Sequence, residues 1–318
     1  MTDHELDAGP DTVSDVLSAE RPPVLTVSPG DRVTVRTLDC AGNLEPARTR
    51  AGRRPLIEGS RGHCLVGPIV VDGATPGQVL AIRLEALTPD AWGFTAAGGH
   101  GNSDGRVDLN RALGVEDAEP AHVFWEIDGD TATTGHGLAV DLHPFLGVIG
   151  LPPEATGEHS TIPPRTRGAG NIDCKELVAG STLFVPVTVD GAHLFVGDGH
   201  AAQGDGEVGG TAIETGMTTT LTLDLRDEAP TDGVHATAPA GLITFGFDAD
   251  LNRAAAEALA AMLTWMQTLS GLDRTTTLAL ASTVVDLRVT QVANRAWGVH
   301  ALLPARFAEQ LTRTGSSA

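Results

Sequence analysis

The residues best equipped for chemistry fall in one stretch, 171–214. It reads Asn171-Ile172-Asp173, then Leu183-Phe184-Val185-Pro186-Val187, then Gly197-Asp198-Gly199-His200-Ala201-Ala202-Gln203-Gly204-Asp205-Gly206-Glu207, and closes on Ala212-Ile213-Glu214. Acids, an imidazole and an amide sit here between apolar runs of β-forming residues. Asp190-Gly191 between two of those runs is a hairpin signal, so two strands are expected to end together. Side chains two apart on a strand share a face. Asp198 and His200 at the tip of the second strand therefore converge on one object. Glycines at 197, 199, 204 and 206 let the backbone turn tightly beside them. A divalent metal with a bound water fits these residue types. The competing structural account is a hydrogen-bonded turn at a strand end.

The elements that must position this stretch are mostly strands. Arg32–Thr37, 67–71, Val79–Leu84, 123–127, Thr131–Thr134, 143–150 and Thr218–Leu225 alternate or run apolar between turn-forming residues. Residues 1–22 are polar and acidic and read as a loose arm; 41–62 and 152–170 read as long loops rich in Gly, Pro and, in the first, Arg. The register changes near Pro239. One strand, 242–247, leads into a helix over 251–269 with apolar residues at helical spacing, Met262 and Trp265 on its core side. A second helix at 276–284, strands at 285–292 and 297–302, and a short last helix at 306–312 follow. The predicted fold is mainly β, a sandwich or barrel-like body over 23–238, with a smaller C-terminal α/β portion over 239–318 packed on it.

Composition narrows the function. Lys+Arg is 21 against Asp+Glu 41, a formal charge of −20, which excludes nucleic acid and anionic membrane as partners needing a basic face. No apolar run is long enough to span a bilayer and the first twenty residues lack a signal-peptide pattern, so a cytoplasmic location is expected. Cys40, Cys64 and Cys174 are odd in number and without CxxC spacing, against a disulfide scaffold or four-cysteine zinc site. Gly101-Asn102-Ser103-Asp104-Gly105 spells GxSxG, but no strand is read in Ala96-Ala97-Gly98-Gly99-His100 to form a nucleophile elbow.

Several runs in order along the chain resemble one family. They are Gly67-Pro68-Ile69-Val70-Val71-Asp72-Gly73-Ala74 with Pro76-Gly77, then His143-Pro144-Phe145-Leu146-Gly147-Val148-Ile149-Gly150 with Pro152-Pro153. Next come Pro163-Pro164-Arg165 to Gly170-Asn171-Ile172-Asp173, Gly197-Asp198-Gly199-His200 through Glu207, and Ala212-Ile213-Glu214. Over about 30–305 this pattern is similar to the acetamidase/formamidase family of short-amide hydrolases. The resemblance implies a β-sandwich body, homo-oligomers such as a homodimer or homotetramer, and divalent metal, zinc or sometimes calcium, near Asp198 and His200. It points also to Asn171, Asp173, Gln203, Asp205, Glu207 and Glu214.

Amide hydrolysis needs an activated water, oxyanion stabilisation and a proton for the departing amine. We assign Asp198, His200 and Asp173 as metal ligands, with Glu214 as general base between water and nitrogen. Asp205 and Glu207 are candidate ligands, in part of a second, calcium-type site of oxygen donors between glycine turns. Asn171, Gln203 and Phe145 are placed at the small-molecule amide substrate, and His143 beside them as a further catalytic candidate. Structural roles stand beside these: loop stabilisation for Asp205 and Glu207, capping of 174–177 for Asp173, an Asx turn for Asn171. His63, His100, His143 and His193 each have a packing role as the alternative. Two other functions are open, a non-catalytic metal- or carbohydrate-binding β-sandwich module and a metal-independent amidase using Cys174 and the single lysine, Lys175. The 4% aromatic content counts against a carbohydrate platform.

Overall fold

A computed structural model describes residues 1–99 and 104–315; His100 and the Gly101-Asn102-Ser103 part of the GxSxG spelling lie outside the described residues. The body is two large β-sheets. In the first, nine strands run in the order Asp3–Asp7, Asp31–Thr37, Met217–Arg226, Val79–Pro89, Thr182–Pro186, His235–Ala238, Gly241–Asp248, Trp297–Pro304 and Asp286–Gln291. The second has eleven strands, with Leu194–His200 at its centre between Phe145–Gly150, Glu214–Thr215 and Leu65–Val71. The core lies between the sheets. Val33, Val35, Leu80, Ile82, Leu183, Val185, Leu221 and Leu223 face it from the first sheet, and Val66, Ile69, Leu146, Ile149, Leu194 and Val196 from the second. These are the apolar members of the alternating runs, and their removal from water is the main term holding the sheets together.

The mainly β reading with a smaller α/β portion describes this architecture. The C-terminal strands do not form a sheet of their own, however. Gly241–Asp248, Trp297–Pro304 and Asp286–Gln291 extend the nine-stranded sheet through the turn after His235–Ala238. The change of composition near Pro239 thus marks where helices begin to cover that sheet. Leu251–Ser270 is started by Asp250, whose carboxylate accepts from Asn252 N, and ends at Gly271 with φ of 70°. It buries Ala254, Ala258, Met262 and Met266 against Val299, Ala301 and Leu303.

Three sequence expectations are corrected. Residues 1–22 are not a loose arm: Asp3–Asp7 pairs in parallel with Asp31–Thr37, Arg32 bonds Asp3, and Val13, Val16 and Leu17 are buried. Apart from Asp15, which pairs with Arg61, the acids of this segment are exposed, and its few apolar residues decide its place. Asp190-Gly191 does not join a hairpin, because Thr182–Pro186 belongs to the first sheet and Leu194–His200 to the second. The turn carries the chain between sheets, with Ala192 and His193 both left-handed at φ of 60° and 54°. Ala96 and Ala97 do end a strand, Trp92–Ala97, and a helix runs over Asp104–Ala112. That strand lies in an antiparallel ladder with Ala121–Asp128, without the βαβ crossover of a nucleophile elbow. Among the described residues, no helix is long and apolar enough to cross a membrane.

Candidate active site

The central strand sets out the site. In its antiparallel register His200 faces Glu214 on one neighbour and Phe145 on the other, so a carboxylate fourteen residues on stands directly opposite the imidazole. Asp198 lies two residues before His200, and their side chains meet with His200 Nε2 3.5 Å from Asp198 Oδ1. Asp173 arrives from the far side of Phe145–Gly150. Strand Ala169–Asn171 pairs there, and the amides of Ile172 and Asp173 both donate to Gly147 O, at 2.9 and 3.2 Å. Glu207 enters from a turn closed by its own amide on Gly204 O, whose neighbour Gly206 is tied to Thr290 O of the C-terminal portion. Asp173, Asp198 and Glu207 have φ of 54°, 59° and 44°. Left-handed backbone is unfavourable for such residues, about 1–3 kcal/mol each, and the surrounding ladders hold it.

Four carboxylates and one imidazole thus share a buried space. Asp173, Asp198, His200, Glu207 and Glu214 are between 1% and 6% exposed. Ligand atoms of Asp173, Asp198 and His200 lie within 4.8 Å of one another, as do those of His200, Glu207 and Glu214. Gln203 fixes the imidazole: its Nε2 donates to Asp173 O at 2.8 Å, so its Oε1 accepts from His200 Nδ1 at 2.9 Å. The Nδ1 proton is then committed, and Nε2 points at Glu214 Oε2, 3.3 Å away, and at Asp198. Asp173 Oδ2, Glu207 Oε2, Glu214 Oε2 and His200 Nε2 are all buried without a hydrogen-bond partner. Burial raises the pKa of the Asp173 carboxyl well above the usual range, aided by Asp198, and burial with Asp173 does the same to Glu207. Burial would also raise Asp198, but His63 and His200 outweigh it and hold this carboxyl below the usual range. For His200 burial works downward, and the adjoining Glu214 and Asp198 push the imidazole well up.

A model of the Acetamidase/Formamidase family matches residues 11–158 and 154–238, more than half of the chain. The chain belongs to that family. A formamidase of Methylophilus methylotrophus is 28% identical over 241 residues, covering 59% of this chain and 57% of its own length. An acetamidase of Mycolicibacterium smegmatis is 29% identical over 217 residues, covering 51% and 53%. The chain therefore spans about half the length of these curated relatives. The crystal structure of an acetamidase from Bacillus halodurans superposes with a TM-score of 0.84 at 26% identity, over 96% of this chain and 99% of that one.

In this acetamidase/formamidase-family chain the expected site residues divide. Asp173, Asp198, His200, Glu207 and Glu214 come together, and Asp198, Glu207 and Glu214 line a small cleft of about 50 Å³ with Asn171. Phe145 lies beneath His200, ring centroids 5.0 Å apart and edge-on, and is fully buried. Gln203 stands behind the imidazole with both ends of its amide engaged. His143 is not brought to the cluster: it is exposed, and its backbone amide donates to Ala201 O. Asp205 and Glu207 do not form one oxygen-rich site. Asp205 is half-exposed and pairs with Lys175 at 3.0 Å, while Glu207 turns inward. A Cys174–Lys175 pair does not form either, since the fully buried thiol donates to Glu176 Oε2 and burial with Glu176 pushes its pKa well up. His63, given a packing role as the alternative above, stands 3.8 Å from Asp198 Oδ2. Sequence reasoning missed Cys40, Gly147 and Asn294. Cys40 and Asn294 reach the cleft from loops with no periodic signal.

These residues fit a divalent cation. Three buried carboxylate oxygens and His200 Nε2, all without a hydrogen-bond partner and facing one another, are the donor set of a hard or borderline cation. Gly147 makes the room: a Cβ there would meet Asp198 Oδ2 at 2.5 Å, Asp173 Oδ1 at 2.7 Å and His200 Cε1 at 2.9 Å. Gly147→Ala is accordingly expected to displace three of the five cluster residues. An about hundredfold drop in turnover and weaker zinc retention should follow, read by ammonia release and metal content of the dialysed protein.

Proposed function

We propose that the protein hydrolyses a linear primary amide to a carboxylate and ammonia at this cluster, with a divalent cation, zinc in the first instance, held by Asp173, Asp198 and His200. The observation that carries the reading is the set of inward-facing buried carboxylate oxygens, without hydrogen-bond partners, gathered around His200 Nε2. When bound, such a cation polarises the amide carbonyl and makes water a nucleophile near neutral pH. Glu214 is the proton carrier. Its Oε1 accepts from Ala212 N at 2.8 Å, which aims the unpartnered Oε2 into the cleft. From there it takes the proton of the attacking water and delivers it to the departing nitrogen.

Two further groups match a primary amide. Asn294 Oδ1 accepts from Ala296 N, leaving Nδ2 buried, unpartnered and lining the cleft. Asn171 Oδ1 is likewise buried without a partner. One donor and one acceptor complement a carbonyl oxygen and an amide N–H, so Asn294 stabilises the developing oxyanion and Asn171 orients the nitrogen. The family and its named formamidase and acetamidase relatives support an amide as substrate.

Ammonia release from formamide, acetamide and propionamide, measured as purified, after chelator, and after zinc or calcium is restored, tests this. The expected result is turnover that falls at least tenfold with chelation and returns with one of the cations. Full turnover in chelator would reject the cation, and no ammonia under any condition would reject the amidase.

A further inference from the structure

The cleft opens beside a much larger chamber of about 570 Å³, and the two share Cys40, Gly210, Thr211 and Ala293 as walls. Sites of this size accommodate drug-sized ligands, whereas acetamide has only four non-hydrogen atoms. The chamber's charge is unexpected in a chain of net charge −20. Arg50, Arg53 and Arg106 line it, and no Asp or Glu does among the described residues. Nearby Arg48 is paired with Glu126, but Arg53 Nε is buried without a hydrogen-bond partner. The Arg53 guanidinium lies over the Phe94 ring, 4.9 Å from its centroid. Phe94 in turn stacks with His122 at 5.1 Å. Arg106 is 4% exposed and braced by Val208 O at 2.8 Å.

A guanidinium placed over an aromatic ring still has N–H groups to offer a planar, bidentate anion. Arg53 is half-buried with its Nε–H shut away from water and unmatched, a cost that is offset when a ligand draws the guanidinium onto an acceptor. We infer that the chamber binds a carboxylate at the far end of the acyl chain, so the substrate class is the monoamide of a dicarboxylic acid. This rests on the amidase reading above. The carboxamide enters the cleft at Asn171 and Asn294, and the chain passes Cys40 and Thr211 to a carboxylate on Arg53 and Arg106, with Arg50 at the rim. Water adds to the carbonyl carbon, the C–N bond breaks, and a dicarboxylate and ammonium leave. The global negative charge of the protein repels such a substrate, so the chamber must outweigh it locally.

The test compares glutaramate with its neutral isostere 5-methylhexanamide on zinc-loaded protein, in wild type, Arg53→Met and Arg53→Lys. The inference expects kcat/KM for glutaramate to exceed that of the isostere by about tenfold or more, as a charge-assisted bidentate contact gives. In Arg53→Met the ratio falls toward one, through KM of glutaramate, and Arg53→Lys recovers part of it. A wild-type ratio at or below one, or a ratio untouched by Arg53→Met, overturns the inference while the amidase reading stands on the neutral amide. If neither amide is turned over, calorimetric titration of glutaramate decides. Binding by wild type that is lost in Arg53→Met supports the carboxylate site although the amidase reading has failed; no binding overturns both.

Discussion

His200→Ala should abolish turnover, by at least about a thousandfold, and strip the protein of zinc, whereas Cys174→Ser should change kcat little. The size of the first effect follows from how many contacts converge on the imidazole. Its Nε2 faces Glu214 and Asp198, its Nδ1 is held by Gln203, and Phe145 packs edge-on with its ring. Alanine removes the nitrogen donor and leaves four carboxylates with one fewer reason to stay close. Gln203→Ala isolates one part of that: the imidazole remains, but its orientation and tautomer are released. An intermediate loss of about tenfold to a hundredfold is expected, in line with outer-sphere partners elsewhere. Zinc content by elemental analysis and ammonia release should rank wild type, Gln203→Ala and His200→Ala in that order. A His200→Ala protein that keeps both zinc and activity would remove the cluster from the chemistry. Loss of activity in Cys174→Ser with zinc intact would return the thiol to consideration, against its full burial and its bond to Glu176.

How much of this was legible in the sequence depends on the kind of signal. The i, i+2 rule joins Asp198 and His200 because both lie on one strand, held by ladders on either side even though Asp198 itself has a left-handed φ of 59°. The same rule suggests a shared role for Asp205 and Glu207 and misleads there. Glu207 sits in a turn with a left-handed backbone, so alternation breaks and the two carboxylates go different ways. The Asp-Gly turn illustrates the same limit at the level of the fold: the dipeptide specifies a reversal of local direction, not which sheet receives the next strand. Gly147 reads in the sequence as one member of an apolar run, and nothing local says that its missing Cβ is the space where three side chains meet. Asn294 and Arg53 belong to segments whose composition reads as loop. Only the packing of the C-terminal portion and the 41–62 loop against the second sheet gives them a cavity to line. The acidic first residues look disordered by charge, yet Leu6, Val13, Val16 and Leu17 suffice to dock them.

The second large effect concerns stability, and its sign depends on the cation. Without one, the cluster holds like charges at low exposure, a cost that His200 and His63 offset in part and protonation of the carboxyls relieves further. Asp173 and Glu207 both have pKa values raised well above the usual range, first by burial. A carboxyl raised on folding favours the folded state at low pH and loses that contribution as pH rises through its folded value. Chelated protein should therefore lose stability as pH rises above the ordinary carboxylate range toward the raised folded values of these two carboxyls, and saturating zinc should flatten that slope. A cation at a thousand times its Kd adds about 4 kcal/mol, an increase in Tm of about 6 °C for a chain of this size. Asp173→Asn separates the two contributions. Asn tolerates left-handed backbone well, so the φ of 54° is retained. The variant should melt a few degrees above wild type in chelator and below it in zinc. The crossing of those two orders, read by scanning calorimetry, is the signature of a site built for an ion at the expense of the empty fold. If Asp173→Asn melted lower in both conditions, the carboxylate would be serving the fold alone.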